Sequence, residues 1–251
     1  MNKPALTVVI PCYNEKENLQ RGVLEEVESY LKIQELSWEV IISDDGSTDG
    51  SRKIIKDSIK NKKEFLLLEN EHGGKPFAIW QGIKKARGEM VLFTDMDQST
   101  PISEVTKFKP FFKDFEVIIG SRGIERKNYS FIRKIGSIIF RNLRKAFLLK
   151  NIDDTQCGFK AFQTEVARQI FPKLQFFQQK EKAKGWKVTS FDVELLFIAE
   201  KLGYKIKEVP VDWQDRDVSK GKKRSYLKES KEMLEQTIRV KVNDLKGVYN
   251  K

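Results

Sequence analysis

Five short β-rich runs recur through the first half of this chain, separated by helical patterns: "ALTVVIP", "WEVIIS", "EFLLLEN", "EMVLFTD" and "EVIIGS". Their apolar residues are consecutive rather than alternate. Such strands bury both faces, so the runs predict a parallel sheet covered by helices on either side. Leu19, Val23, Val27, Tyr30 and Leu31 give helical spacing over residues 15–36. "DDGSTDGS" is a turn and helix start, and "KPFAIWQGIKKARG" is a helix ending at Gly88. The clusters "CYNE", "SDDGS", "TDMDQS" and "GSR" each follow a strand directly. In a parallel sheet they gather along the carboxyl edge, where ligands of open α/β sheets bind.

The second half differs. "YSFIRKIGSIIFRNLRKAFLLKN" is amphipathic: Ile132, Ile135, Ile138, Ile139, Leu143 and Ala146 share one arc, and Arg133, Lys134, Arg141, Arg144 and Lys145 the other. Two readings fit it, a helix lying in a headgroup layer and a core-packing helix with a solvated basic face. "SFDVELLFIAEKLG" is a further helix, "YKIKEVPVDW" a strand and "SYLKESKEMLEQTIRVKVNDL" a last amphipathic helix. "QQKEKAKGWK" reads as a loop.

Basic residues outnumber acidic ones, 47 to 36, a net charge of +11. That sign favours an anionic partner: nucleic acid, an anionic membrane or a phosphorylated substrate. Cys12 and Cys157 have no paired metal spacing and make no disulfide framework, which points to a reducing compartment. Cys157 as a nucleophile would have only the lone His72 as an imidazole partner. The N-terminus lacks a signal-peptide pattern, and no run approaches the ~20 apolar residues of a spanning helix. The expectation is a protein that is soluble or peripheral on a membrane.

Asp95 and Asp97 stand where an apolar strand stops. If the strand continued through them, their side chains would point the same way. Like charges that close repel unless a cation lies between them or one keeps its proton. A hard divalent ion, Mg²⁺ or Mn²⁺, shared with substrate phosphates resolves the conflict. The plainer reading is a helix start at Ser99 or Thr100 with Asp97 as loop solvation. Asp45 is assigned to a base or ribose contact; Ser47 or Thr48 is expected to cap the next helix, with Asp49 on its dipole. Tyr13, after the rigid Pro11, is placed to stack on a base, while Asn14 or Glu15 starts a helix. "NEHGGKPFA" offers glycines and Lys75 before a helix, as in a phosphate cradle, without the P-loop spacing.

Together "VVIPCYNEKENL", "IISDDGSTDGS", "GEMVLFTDMDQS" and "VIIGSR" resemble the nucleotide-sugar-binding half of inverting family-2 glycosyltransferases of the GT-A fold. "DDTQCGFKAF", "SFDVELLFIAEKLGYKIKEVPVDW" and "DRDVSKG" resemble the polyprenyl-phosphate branch, above all dolichyl-phosphate β-glucosyltransferases. The resemblance implies one domain over 1–251, with a donor half at 1–122 and an acceptor, membrane-proximal half at 123–251. It implies an α/β fold: a Rossmann-like, mostly parallel sheet with flanking helices, plus C-terminal amphipathic interfacial helices.

The resemblance also implies roles. Pro11, Tyr13, Glu15 and Asp45 would hold the nucleoside, with Lys75 on the donor. Asp95 and Asp97 would meet the diphosphate and Mg²⁺ or Mn²⁺. Arg122, Arg133 and Lys160 would meet the acceptor phosphate, and Asp154 lies near the acceptor. Arg216, Ser219 and Lys220 would belong to a segment that closes over the donor. One departure stands out: mannosyltransferases of this branch often carry Gln at the place of Ser99, and here Gln98 precedes it. The implied reaction is transfer of a hexose, glucose from UDP-glucose, to a polyprenyl phosphate with inversion, on the cytoplasmic face of an anionic membrane.

An acceptor phosphate is already ionised, so no strong general base is required. The competing expectations are another donor such as GDP-mannose, and a sugar hydroxyl acceptor in polysaccharide synthesis, which needs a base. A nucleic-acid-binding protein would explain the charge, but the chain has no zinc spacing and no aromatic-interleaved basic strand. A Rossmann dehydrogenase lacks its G-x-G-x-x-G after the first strand.

Overall fold

The computed structural model describes residues 3–123, 148–149, 151–178, 191–219 and 226–250, with side chains from 234 onward in the last segment. The amphipathic stretch with Arg133, the segment with Lys220 and most of "QQKEKAKGWK" lie outside the described residues.

A seven-stranded sheet organises the described residues: β1 (Leu6–Cys12), β2 (Trp38–Asp44), β3 (Phe65–Glu69), β4 (Met90–Phe93), β5 (Val117–Ser121), β6 (Lys160–Gln163) and β7 (Ile206–Pro210), in the order β3-β2-β1-β4-β6-β5-β7. All pairings are parallel except those of β6, which runs against β4 and β5. The helices are α1 (Lys16–Gln20), α2 (Val23–Lys32), α3 (Ser51–Ser58), α4 (Lys75–Lys85), α5 (Val105–Phe108), α6 (Thr164–Ile170), α7 (Gln175–Gln178), α8 (Phe191–Lys201) and α9 (Tyr226–Leu245).

The uninterrupted apolar runs have their reason in two cores. Val9, Ile41, Val91, Phe93, Val117 and Ile119 belong to one, with α4, α6 and α8. Val8, Ile10, Val40, Ile42, Leu92 and Ile118 belong to the other, with α1 and α2. Successive side chains of one strand thus enter opposite cores.

Three expectations are corrected. The helical pattern over 15–36 is two helices, because Gly22 takes a left-handed φ of 82° and caps α2. The helix after Gly74 ends at Lys85, short of Gly88. Neither Ser47 nor Thr48 caps α3; Gly50 does, and Asp49 accepts from the Ser51 N–H and hydroxyl at 3.0 and 2.6 Å. β6 was not foreseen.

At the amino edge of the sheet, Glu39 accepts from the Thr7 hydroxyl and from Arg87 N and Nε, each at 2.7 Å. Gly88 N–H donates to Thr7 Oγ1 at 2.8 Å. A Cβ on Gly88 would stand 2.5 Å from the Thr7 backbone nitrogen. Gly88→Ala is therefore expected to destabilise the protein by about 1–3 kcal/mol, the usual cost of overpacking. Urea unfolding would show a lower midpoint at unchanged slope.

Candidate active site

The carboxyl ends of β1, β2, β4, β5 and β7 share one edge, since β4 and β5 both oppose β6. The polar clusters follow these ends, and so does "VDWQD" after β7.

Asp45 is fully buried at the end of β2. Its Oδ1 and Oδ2 accept the N–H groups of Gly73 and Gly74, each at 2.8 Å. His72 Nδ1 lies 2.9 Å from Oδ2, and the His72 ring stacks on Tyr13 at 4.4 Å. Burial pushes the Asp45 carboxyl up, against the two N–H donors and His72. Asp45 thus fixes the loop that delivers Lys75, and Tyr13 stacks on His72 of that loop. Asp44 beside it accepts from Gly46 N, Ser47 N and Arg52 Nε, the last at 2.5 Å, and its buried Oδ1 accepts no bond among the described residues.

β4 stops at Phe93, so Asp95 and Asp97 sit on a turn and not on a continuing strand. Asp97 Oδ1 accepts Ser99 N–H at 2.8 Å. Gln98 takes φ 50° and turns inward, donating to Asp95 O at 2.9 Å, while its buried Oε1 has no partner among the described residues. Ser99, not Gln98, faces the site. Asp95 pairs with Lys75 Nζ. Burial, then Asp95, raises the Asp97 carboxyl above its ordinary value of 3.8.

A cavity of about 190 Å³ opens here, lined among others by Asp95, Asp97, Ser99, Arg122, Trp213 and Asp215. Gly158 lines it as well, and a Cβ there would stand 2.1 Å from Asp95 Oδ2, so Asp95 needs the glycine. Among the described residues, no three His, Cys, Asp or Glu side chains cluster as a metal cage. Two carboxylates open to a cavity still fit a hard divalent ion that takes its remaining ligands from phosphate and water.

Arg122, just past β5, gives Nε and Nη2 to Asp154 at 2.7 and 2.8 Å. Asp154 N–H donates to Glu208 Oε1 on β7 at 2.7 Å. The Arg122 guanidinium lies 5.8 Å from the Trp213 ring centre. Asp154 is therefore a partner that orients Arg122 in a two-point ion pair.

Residues 212–219 strap the site to α1 and α2. Arg216 pairs with Glu26 at 2.9 Å, and its N–H donates to Ser99 Oγ at 3.2 Å. Arg21 donates to Arg216 O and to Asp97 O, each at 2.6 Å. Asn18 bridges Glu15 and Asp217, and Asp217 accepts Ser219 N–H at 3.0 Å. Pro11, within β1, and Glu15, joined to the strap through Asn18, are both buried.

The structure thus brings Asp95, Asp97 and Arg122 to one cavity, with Lys75 on Asp95. Tyr13 and Asp45 form a separate neighbouring group. Lys160 does not meet the expectation of a phosphate ligand: it is 0 % exposed, with Nζ on Asp192 Oδ1 at 2.6 Å and on Cys157 O. A lysine on β6, opposite Phe93, points into the sheet's own core. Cys157 is buried too, and burial, then Asp154, pushes its thiol up, so it is no nucleophile. Arg133 and Lys220 lie outside the described residues. Trp213, Asp215 and Gln156 line the cavity without having been singled out; "VDWQD" carried the same signal as the other clusters, a polar run directly after a strand.

Comparison with known proteins gives concordant matches. Residues 7–171 match Glycosyl transferase family 2. The chain is 32 % identical to the dolichyl-phosphate β-glucosyltransferase of Dictyostelium discoideum, over 97 % of this chain and 76 % of that protein. It is 33 % identical to those of Saccharomyces cerevisiae (97 % and 76 %) and Homo sapiens (86 % and 69 %). In fold it is similar to glucosyl-3-phosphoglycerate synthase from Mycobacterium tuberculosis, solved with Mn²⁺, UDP and glucosyl-3-phosphoglycerate: TM-score 0.63, 20 % identity, 94 % of this chain and 78 % of that one. It is also similar to a mannosyltransferase from Pyrobaculum calidifontis solved with GDP-Man and Mn²⁺: TM-score 0.60, 18 % identity, 95 % and 65 %.

Charging Asp97 costs the fold stability, because its carboxyl is raised above 3.8 in the folded chain. That cost is absent below about pH 4 and complete above the raised folded value. Asp97→Asn, which still accepts from Ser99 N–H, is expected to raise the melting temperature of the metal-free protein at neutral pH and to bring no gain at pH 3. Melting curves across pH check this; an unchanged or lower melting temperature at neutral pH contradicts it.

Proposed function

The chain belongs to glycosyl transferase family 2, and from that premise we propose that it transfers glucose from UDP-glucose to a polyprenyl phosphate, with inversion and with Mg²⁺ or Mn²⁺ at Asp95 and Asp97. The observation that carries the reading is the single cavity that two carboxylates and an oriented arginine line together. Carboxylates and a cation at one wall suit a diphosphate leaving group better than a polyanion such as nucleic acid. The names of the matched relatives support glucose and a lipid phosphate.

In this reading, the nucleoside rests beside Tyr13 and His72, with Asp45 shaping the loop beneath. Pro11 and Glu15 set the end of β1, and the strap with Arg216, Ser219 and Lys220 covers the donor. The metal, when bound, stabilises the charge that develops on the diphosphate. Arg122, held by Asp154, presents a fixed positive group to the acceptor phosphate, with Arg133 as a second contact. A phosphate oxygen attacks the anomeric carbon; the new carbon–oxygen bond forms as the bond to the diphosphate breaks, and nucleoside diphosphate leaves. No base has to remove a proton from an ionised phosphate. That suits an Asp154 committed to Arg122.

The acceptor half, 123–251, would face the membrane at its cytoplasmic side, within one domain that also holds the donor half, 1–122. Among the described residues no helix is long and apolar enough to cross a bilayer. α9 leaves Leu234, Ile238, Val242 and Leu245 exposed at helical spacing. With a net charge of +11, such a stripe fits the headgroup layer of an anionic membrane.

Transfer of label from UDP-glucose to a short polyprenyl phosphate tests the reading. Lipid product is expected with Mn²⁺ or Mg²⁺, none with EDTA, and at least about a hundredfold less with Asp97→Ala. Metal-dependent hydrolysis of UDP-glucose without lipid product moves the acceptor elsewhere. Product from GDP-mannose alone reassigns the donor.

A further inference from the structure

Lys75 is the first residue of α4, at the positive end of the helix dipole, where a cation is disfavoured. Carboxylates hold it there. Its ammonium sits on Asp95. Partial burial works against the charge, but Asp95, Asp192 and Asp97 together outweigh it. The backbone that delivers Lys75 is itself fixed, because Asp45 grips the N–H groups of Gly73 and Gly74. Behind it, Lys160 binds Asp192 Oδ1, and Asp192 Oδ2 accepts no hydrogen bond among the described residues. Charges therefore alternate through the site, from Asp95 to Lys75 and from Asp192 to Lys160.

A divalent ion at Asp95 and Asp97 would meet Lys75 on the same carboxylate. We propose that Lys75 is the resident counter-ion of Asp95 and competes with the divalent ion for it. The inference rests on the metal reading of Asp95 and Asp97. It makes Lys75 a gate on metal occupancy.

The test is Mn²⁺ affinity of the full chain without nucleotide or lipid, read from the paramagnetic resonance signal of the free ion. Wild-type binding should fall at least about tenfold with Asp97→Ala. Lys75→Met should bind Mn²⁺ about five- to tenfold tighter than wild type, since the competitor is gone. Lys75→Gln, neutral and of similar length, replaces Lys75→Met if the latter does not fold. Mn²⁺ binding indifferent to Asp97 overturns the metal site and the competition with it. Asp97-dependent binding that neither Lys75 variant tightens overturns the competition alone.

Discussion

Mutual repulsion of carboxylates at one sheet edge is the constraint that the rest of this structure answers. Asp44, Asp45, Asp95, Asp97, Asp154 and Asp192 all lie there. Each needs compensation, because burying an uncompensated charge costs several kcal/mol. Arg52 and two turn N–H groups answer Asp44, and Gly73 and Gly74 answer Asp45. Arg122 answers Asp154, Lys160 answers Asp192, and Lys75 answers Asp95. Among the described residues, Asp97 forms no ion pair and accepts Ser99 N–H. The unbalanced negative potential therefore concentrates at one carboxylate that opens into the cavity.

The compensations also explain why the site is stiff where it must be. Arg122 has both ends of its fork tied to Asp154, whose backbone is tied to Glu208 on β7. The strap is attached through Ser99, Asn18 and Glu26, on three different segments. A guanidinium held in this way loses little freedom when it meets a phosphate, which is the physical content of preorganisation.

Much of this was legible in the sequence. Strands with consecutive apolar residues announced a sheet buried on both faces, and the polar clusters at their ends located the site. Asp95 and Asp97 stood out by that rule; it also marked the "GSR" cluster, whose Arg122 took its role from the family resemblance. What failed had local reasons. "KAFQ" is four residues long, with only two apolar residues between polar ones, so nothing marked it as a central strand. Lys160 looked like a phosphate ligand because burial of a lysine leaves no trace in its spacing. Gly22 breaks a helix whose apolar period runs straight through it. The pairing of Lys75 with Asp95 joins residues twenty positions apart, and that proximity comes only from the close crossing of α4 over β1, where Gly82 meets Val9.

β6 has a consequence for how the chain comes together. β4 and β5 are made first, but they are not neighbours; β6, encoded some forty residues after β5, must enter between them. During synthesis both strands keep an unpaired edge until that late segment emerges, and β5 waits further for β7. Pairings of such long sequence separation form slowly, and open edges attract other chains meanwhile. The wall that carries Arg122 and Asp154 is thus the last part of the sheet to be assembled, so a ribosome-bound chain can complete β1 to β4, with Asp45, Asp95 and Asp97 at their ends, well before that wall exists.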